Sequence, residues 1–133
     1  MIEWLYSYPE RLLLVDALGA MTSALMMGIV VPIVDDWLGI PVVMSQTLAL
    51  IPIGMILYDL LSYWRCTHRI AICLKGIAML NLSYCIISIV HAIYYRKSIM
   101  VWGWTYLGLE LLILIALIWL EWQLANRSSR IIE

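Results

Sequence analysis

The chain has 133 residues, 65% of them hydrophobic and 13% charged, and its formal net charge is −1 at pH 7. Water-soluble domains hold about 45–50% apolar and about 25% charged residues, so a mean hydropathy of +0.96 excludes an ordinary soluble globule. The near-balanced charge, with no basic stripe, excludes the phosphate-neutralising surface that nucleic-acid binding needs.

The N-terminal segment, 1–10, carries Trp4, Tyr6 and Tyr8. Aromatic rings with one polar end favour the headgroup level, so this segment is expected to lie along the interface. Ser7 and Pro9 fit a helix start. The first apolar run, 11–34, exceeds the ~20 residues that a membrane span needs. The N-terminal stretch MIEWLYSYPER (1–11) is acidic as well as basic, and the run is too long for a signal-peptide core, so it is expected to remain as an anchor. Inside it, Asp16, Gly19, Ala20 and Ser23 stand at i, i+3, i+4 and i+7, on one helical face. A carboxyl cannot sensibly face lipid, so this face is predicted to turn toward other helices, with the GAMTSA run (19–24) as a small-residue packing surface.

Asp35, Asp36, Trp37, Gly39 and Pro41 mark the first connection, which holds no Lys or Arg. The second span is predicted over 41–64. Ser45, Pro52 and Asp59 are spaced by seven and share a face, and Pro52 is expected to kink the helix. A short basic loop, RCTHR (65–69), leads to a third span over 70–94. Its polar row is Asn81, Tyr84, Cys85 and Ser88, continued by His91, whereas Lys75 stands ~120° around the helix from Asn81. The fourth span is predicted over 101–124, with Gly103, Tyr106 and Glu110 in a row and Glu121, Asn126, Arg127 and Arg130 finishing the chain in water. Arg11, Arg65, Arg69, Arg127 and Arg130 fall on the side of the termini, against Arg96 and Lys97 opposite; five against two predicts both termini in the cytoplasm.

These readings give one domain: an all-α integral membrane protein, a four-helix up-down-up-down bundle whose short loops make sequential spans neighbours. The three cysteines, Cys66, Cys73 and Cys85, show no CxxC or metal-ligand spacing, and an odd number argues against a disulfide framework. Cys73 and Cys85 read as small membrane-buried hydrophobes. The sequence has 8 Tyr, 7 Trp and no Phe, a bias for which we have no physical account.

The candidate site residues are Asp16, Asp59, Lys75, Asn81, Tyr84 and Glu110. Asp16, Asp59 and Lys75 each lie five residues from the same end of their spans, ~7–8 Å deep. An Asp59–Lys75 ion pair tying spans two and three is one reading, snorkelling of the charged groups to the headgroups is another, and a cation or proton site is the third. Glu110, nine residues beyond Val101, is ~13 Å deep, with Asn81 and Tyr84 as its expected hydrogen-bond partners. It reads as a neutral acid joining helices or as a proton-relay or substrate site. No nucleophile–base pair, phosphate loop or HExxH motif is present, so neither an enzyme nor a cofactor is expected. The leading expectation is a small membrane protein that packs with a second copy or a membrane partner, its buried polar residues acting as glue. The alternative is a proton- or cation-coupled transporter or transporter subunit using Asp16, Asp59 and Glu110.

Two resemblances accompany this reading. The number and size of the spans and the acidic first span resemble the small multidrug resistance transporters, and the run QTLALIPIGM (46–55) is similar to a QTLAYIPTGI-type stretch in their second span. That resemblance implies a carboxylate in span one, here Asp16, that binds protons and cationic drugs. Span three lacks the glycine-rich packing stretch of those transporters, and Asp59, Lys75 and Glu110 have no counterpart in them. Over most of its length the chain looks more like small four-span proteins of bacterial inner membranes. These share a VDGxGA-like start (here VDALGA, 15–20), a YD pair (Tyr58, Asp59), an NxxYC-like row (Asn81, Tyr84, Cys85) and an LE pair (Leu109, Glu110). This second resemblance implies an inner-membrane location and no particular chemistry.

Overall fold

An apolar run in lipid can satisfy its backbone polar groups only by bonding within itself, and helices form accordingly. The structure, a computed structural model, describes residues 2–66 and 68–132; Thr67 of the basic loop lies outside the described residues. In chain order the helices are α1 (Ile2–Ser7), α2 (Glu10–Ile33), α3 (Asp35–Leu38), α4 (Val42–Arg65), α5 (Ile70–Tyr94) and α6 (Val101–Ile132). No strand forms among the described residues, and α2, α4, α5 and α6 are long and apolar enough to cross a membrane. Proline at position 9 starts α2, and Pro52 sits within an unbroken α4. In α2, Met26–Val30 widen into one π-helical turn.

The bundle consists of two antiparallel pairs. Helix α2 packs along α4, and α5 along α6; the seam between α4 and α5 is thinner, and α2 and α6 do not pack along each other. The interior is filled by Leu12, Leu13, Met44, Leu48, Leu74 and Ile77, all fully buried, whereas Leu18, Leu57, Ile86, Leu112 and Ile115 project outward. Outward leucines and isoleucines on every span are what a lipid-facing surface requires, and a soluble fold could not carry so many.

One end of the bundle is clamped by its loops. The Met100 N–H donates to the Leu38 carbonyl at 2.9 Å. Gly39 ends α3 in the left-handed region, with φ of 65°, and a Cβ there would collide with the Ser98 carbonyl oxygen. Gly103 is pressed against the Leu38 carbonyl in the same way.

The opposite end departs from expectation. Helix α6 has 32 residues, ~48 Å long, whereas the hydrocarbon core is ~30 Å thick. Its last turns continue past position 124 and are covered by α1. The Tyr6 hydroxyl donates to Gln123 Oε1 at 3.3 Å, and the Arg127 guanidinium lies 4.4 Å from the Tyr6 ring centroid. Arg11 lies against Trp4 and Tyr8 at 4.5 and 4.4 Å. Leu5, Leu124 and Ala125 are buried there. Glu121, expected in water, is fully buried.

The cysteines need a second correction. Cys66 and Cys73 are joined in a disulfide, with Cα atoms 6.6 Å apart. Cys66 caps α4, its N–H donating to the Ser62 carbonyl at 2.8 Å, and Cys73 lies in the first turn of α5, so the tight reversal brings the sulfurs together. Cys85 is free and buried, as its place in the polar row of span three implies.

Candidate functional site

Each long helix places one polar side chain in a single interior cluster: Asp16 from α2, Asp59 from α4, Asn81 from α5 and Glu121 from α6. None is more than 2% exposed. Helical repeat sets three of these positions. Asp16 follows buried Leu12 and Leu13 by one turn, Asp59 ends the Ser45–Pro52–Asp59 row, and Asn81 heads the row through Tyr84, Cys85 and Ser88, all buried.

Asn81 is the hub. Its Nδ2 donates to Asp16 Oδ1 at 3.0 Å and to Glu121 Oε1 and Oε2 at 3.1 and 3.3 Å. With two hydrogens on that nitrogen, one serves Asp16 and the other is shared by the two Glu121 oxygens. The Asp16 carboxyl neighbours those of both Asp59 and Glu121. Yet Asp16 Oδ2, both Asp59 oxygens and Asn81 Oδ1 are buried without a donor among the described residues. These facts fit together chemically. An ionised carboxylate only accepts, so two touching carboxyls bond only when one carries a proton; as two anions they repel.

The expected Asp59–Lys75 pair does not form. The Lys75 ammonium lies 5.8 Å from the Trp122 ring centroid, and neither Asp59 oxygen has a partner. Equal depth puts two groups at one height but not on facing sides, and the ~120° between Lys75 and Asn81 turns Lys75 away from the interior.

Glu110 forms a second station. Tyr84 donates its hydroxyl to Glu110 Oε1 at 3.1 Å, and Ser23 lines the same cavity as that carboxyl. Tyr84 is the partner expected from the sequence. Asn81 is not; it is occupied by Asp16 and Glu121. A cavity of about 210 Å³ joins the two stations, with Asp16 and Asn81 in one part of its wall, Ser23, Tyr84 and Glu110 in another, and Pro52, Met55, Leu114 and Leu117 between. It occupies the gap between α2 and α6. Gly19 borders the gap, and a Cβ there would come no nearer than 4.0 Å to Leu117 Cδ1.

Glu121 is the site residue that the sequence reading missed. A signal exists: it stands eleven residues after Glu110, three turns along and only ~20° around the helix, on the face that buries Leu114, Leu124 and Ala125.

The cluster offers acceptors in excess of donors, which is the chemistry of a group that takes up and gives up protons. Among the described residues no trio of His, Cys, Asp or Glu is arranged to hold a metal ion. Comparison with known proteins finds no matching family model, no similar curated protein and no similar solved structure.

Proposed function

We propose that the protein is a proton-coupled membrane transporter or transporter subunit, in which the Asp16–Asp59–Asn81–Glu121 cluster takes up and releases protons and the cavity connects it to Glu110. The observation that carries this reading is a cluster of three buried carboxyls with one amide donor, which serves Asp16 and Glu121 and leaves Asp59 without any donor or cation among the described residues. A cluster kept only to hold helices together does so best when every acceptor has its donor. Here the missing donors are protons, and ionisable groups inside a membrane most often mark proton or ion pathways. In this reading the protein resides in a bacterial inner membrane with both termini in the cytoplasm, an orientation supported by the five-to-two excess of basic residues beside the termini.

One observation favours a second reading for part of the site. The Tyr84–Glu110 bond is complete in itself, and that pair serves as interhelical glue in a protein that packs with a copy of itself or with a membrane partner.

Hydrophobic carbodiimides couple to protonated carboxyls in apolar surroundings. In lipid nanodiscs at neutral pH such a reagent should modify Asp16, Asp59 or Glu121, mapped by peptide mass spectrometry, and labelling should disappear at alkaline pH. Absence of any adduct on these residues across the pH range would contradict the reading.

A further inference from the structure

We propose that Cys66 and Cys73 form a reversible thiol–disulfide exchange site for small anionic thiols and disulfides of the glutathione type, and that its closure stiffens the end of α4 that carries Asp59.

The two sulfurs differ in access. Cys66 is half-buried and borders an open cleft of about 370 Å³ lined by Pro9, Glu10, Tyr63 and Ile70. Cys73 is buried. An incoming thiol therefore meets the Cys66 sulfur. Arg65, His68 and Arg69 are exposed around the turn, against the single carboxylate of Glu10 in the cleft, so the site attracts an anionic peptide thiol. The turn shares its end of the bundle with both termini, and the basic excess assigns that end to the cytoplasm. In that compartment cysteines are kept reduced, and disulfides there are transient or redox-sensing.

The exchange balances as two displacements. A small thiolate attacks the Cys66 sulfur, forming a mixed disulfide while the Cys66–Cys73 bond breaks and Cys73 leaves as a thiolate that takes a proton from water. A second small thiolate attacks the small-molecule sulfur of that mixed disulfide, releasing Cys66 and a small disulfide. Two electrons pass from the two small thiols to the protein. Closure is the reverse, with the small disulfide as oxidant.

A direct route leads from the pair to the carboxyl cluster. The Tyr58 hydroxyl donates to the Cys73 carbonyl at 3.3 Å, and the same hydroxyl fills the space above Gly76, where a Cβ would collide with it. Tyr58 is the neighbour of Asp59 in α4. A bond that fixes Cys73 to the end of α4 therefore fixes the anchor of Tyr58. Buried Cys85 takes no part.

The test uses the full chain in nanodiscs, equilibrated with reduced or oxidised glutathione, then denatured and tagged with a mass-shifting maleimide. Three tags are expected after reduced glutathione and one after oxidised glutathione, with full interconversion; Cys66→Ser should show two tags in both. One tag persisting in reduced glutathione, or three in oxidised glutathione, would overturn the exchange site. Hydrogen exchange of the amides around Tyr58 reads the coupling: at least a several-fold slowing on oxidation in the wild type, and little change in Tyr58→Phe. Equal exchange in both redox states of the wild type would overturn the coupling. Neither readout depends on protons at the carboxyl cluster, so either can fail while the transport reading stands, and the reverse.

Discussion

Asn81 supplies the only hydrogen bonds that Asp16 and Glu121 receive among the described residues. Asn81→Leu strips a donor from two buried carboxyls at once, and leaving buried acceptors unpaired costs ~1–3 kcal/mol. Thermal unfolding in one detergent should show a lower Tm for this variant. Asp59 behaves oppositely, because nothing bonds its oxygens among the described residues. Asp59→Asn places an N–H donor beside Asp16 and removes a carboxyl that has no donor among the described residues, so Tm should hold or rise even as proton handling is lost. A large drop in Tm for Asp59→Asn would show that Asp59 holds the bundle together. Tyr84→Phe removes one interhelical bond and should cost ~0.6–1.7 kcal/mol, visible as a modest Tm shift; no shift would mean that the Glu110 station contributes nothing to packing.

The loop clamp carries its own prediction at the level of elements. Gly39 combines φ of 65° with contact against the Ser98 carbonyl, so Gly39→Ala should destabilise by ~1–3 kcal/mol or more, with faster hydrogen exchange at the Met100 amide. Unchanged exchange would contradict the clamp. The elements themselves were readable in the sequence, because a bilayer leaves an apolar run few options other than helix. So were two inner faces: the Ser45–Asp59 and Asn81–Ser88 rows point inward, since a seven-residue repeat fixes azimuth within a helix, whereas in the first span Asp16 and Ala20 are buried but Gly19 is exposed and Ser23 half-buried, so the 19–24 run is not the packing surface expected. What is not local was not readable. Charges at 121, 127 and 130 look like an exit into water, yet α6 continues and Glu121 is held inside by Asn81 of α5. The Asp59–Lys75 pair failed because depth was matched without azimuth. The Cys66–Cys73 bond escaped notice because it depends on how tightly α4 and α5 reverse, which spacing alone does not specify.

At the scale of the whole molecule, two well-packed helix pairs meet along a thinner seam and leave a gap between α2 and α6. Gly19 marks the gap, and Gly19→Leu should fill it and slow transport with little loss of stability, since the added side chain enters open space. Reporter fusions at the C-terminus and within 35–39 should be active inside and outside the cell respectively; the reverse would invert the orientation. The central claim is that the carboxyl cluster moves protons, and the most direct measurement is the collapse of an imposed pH gradient in liposomes holding wild-type protein or Asp59→Asn. The account predicts that the wild type dissipates the gradient well above empty liposomes and that Asp59→Asn, though folded and equally incorporated, does not. Equal dissipation by the two proteins, or none by the wild type, would contradict it.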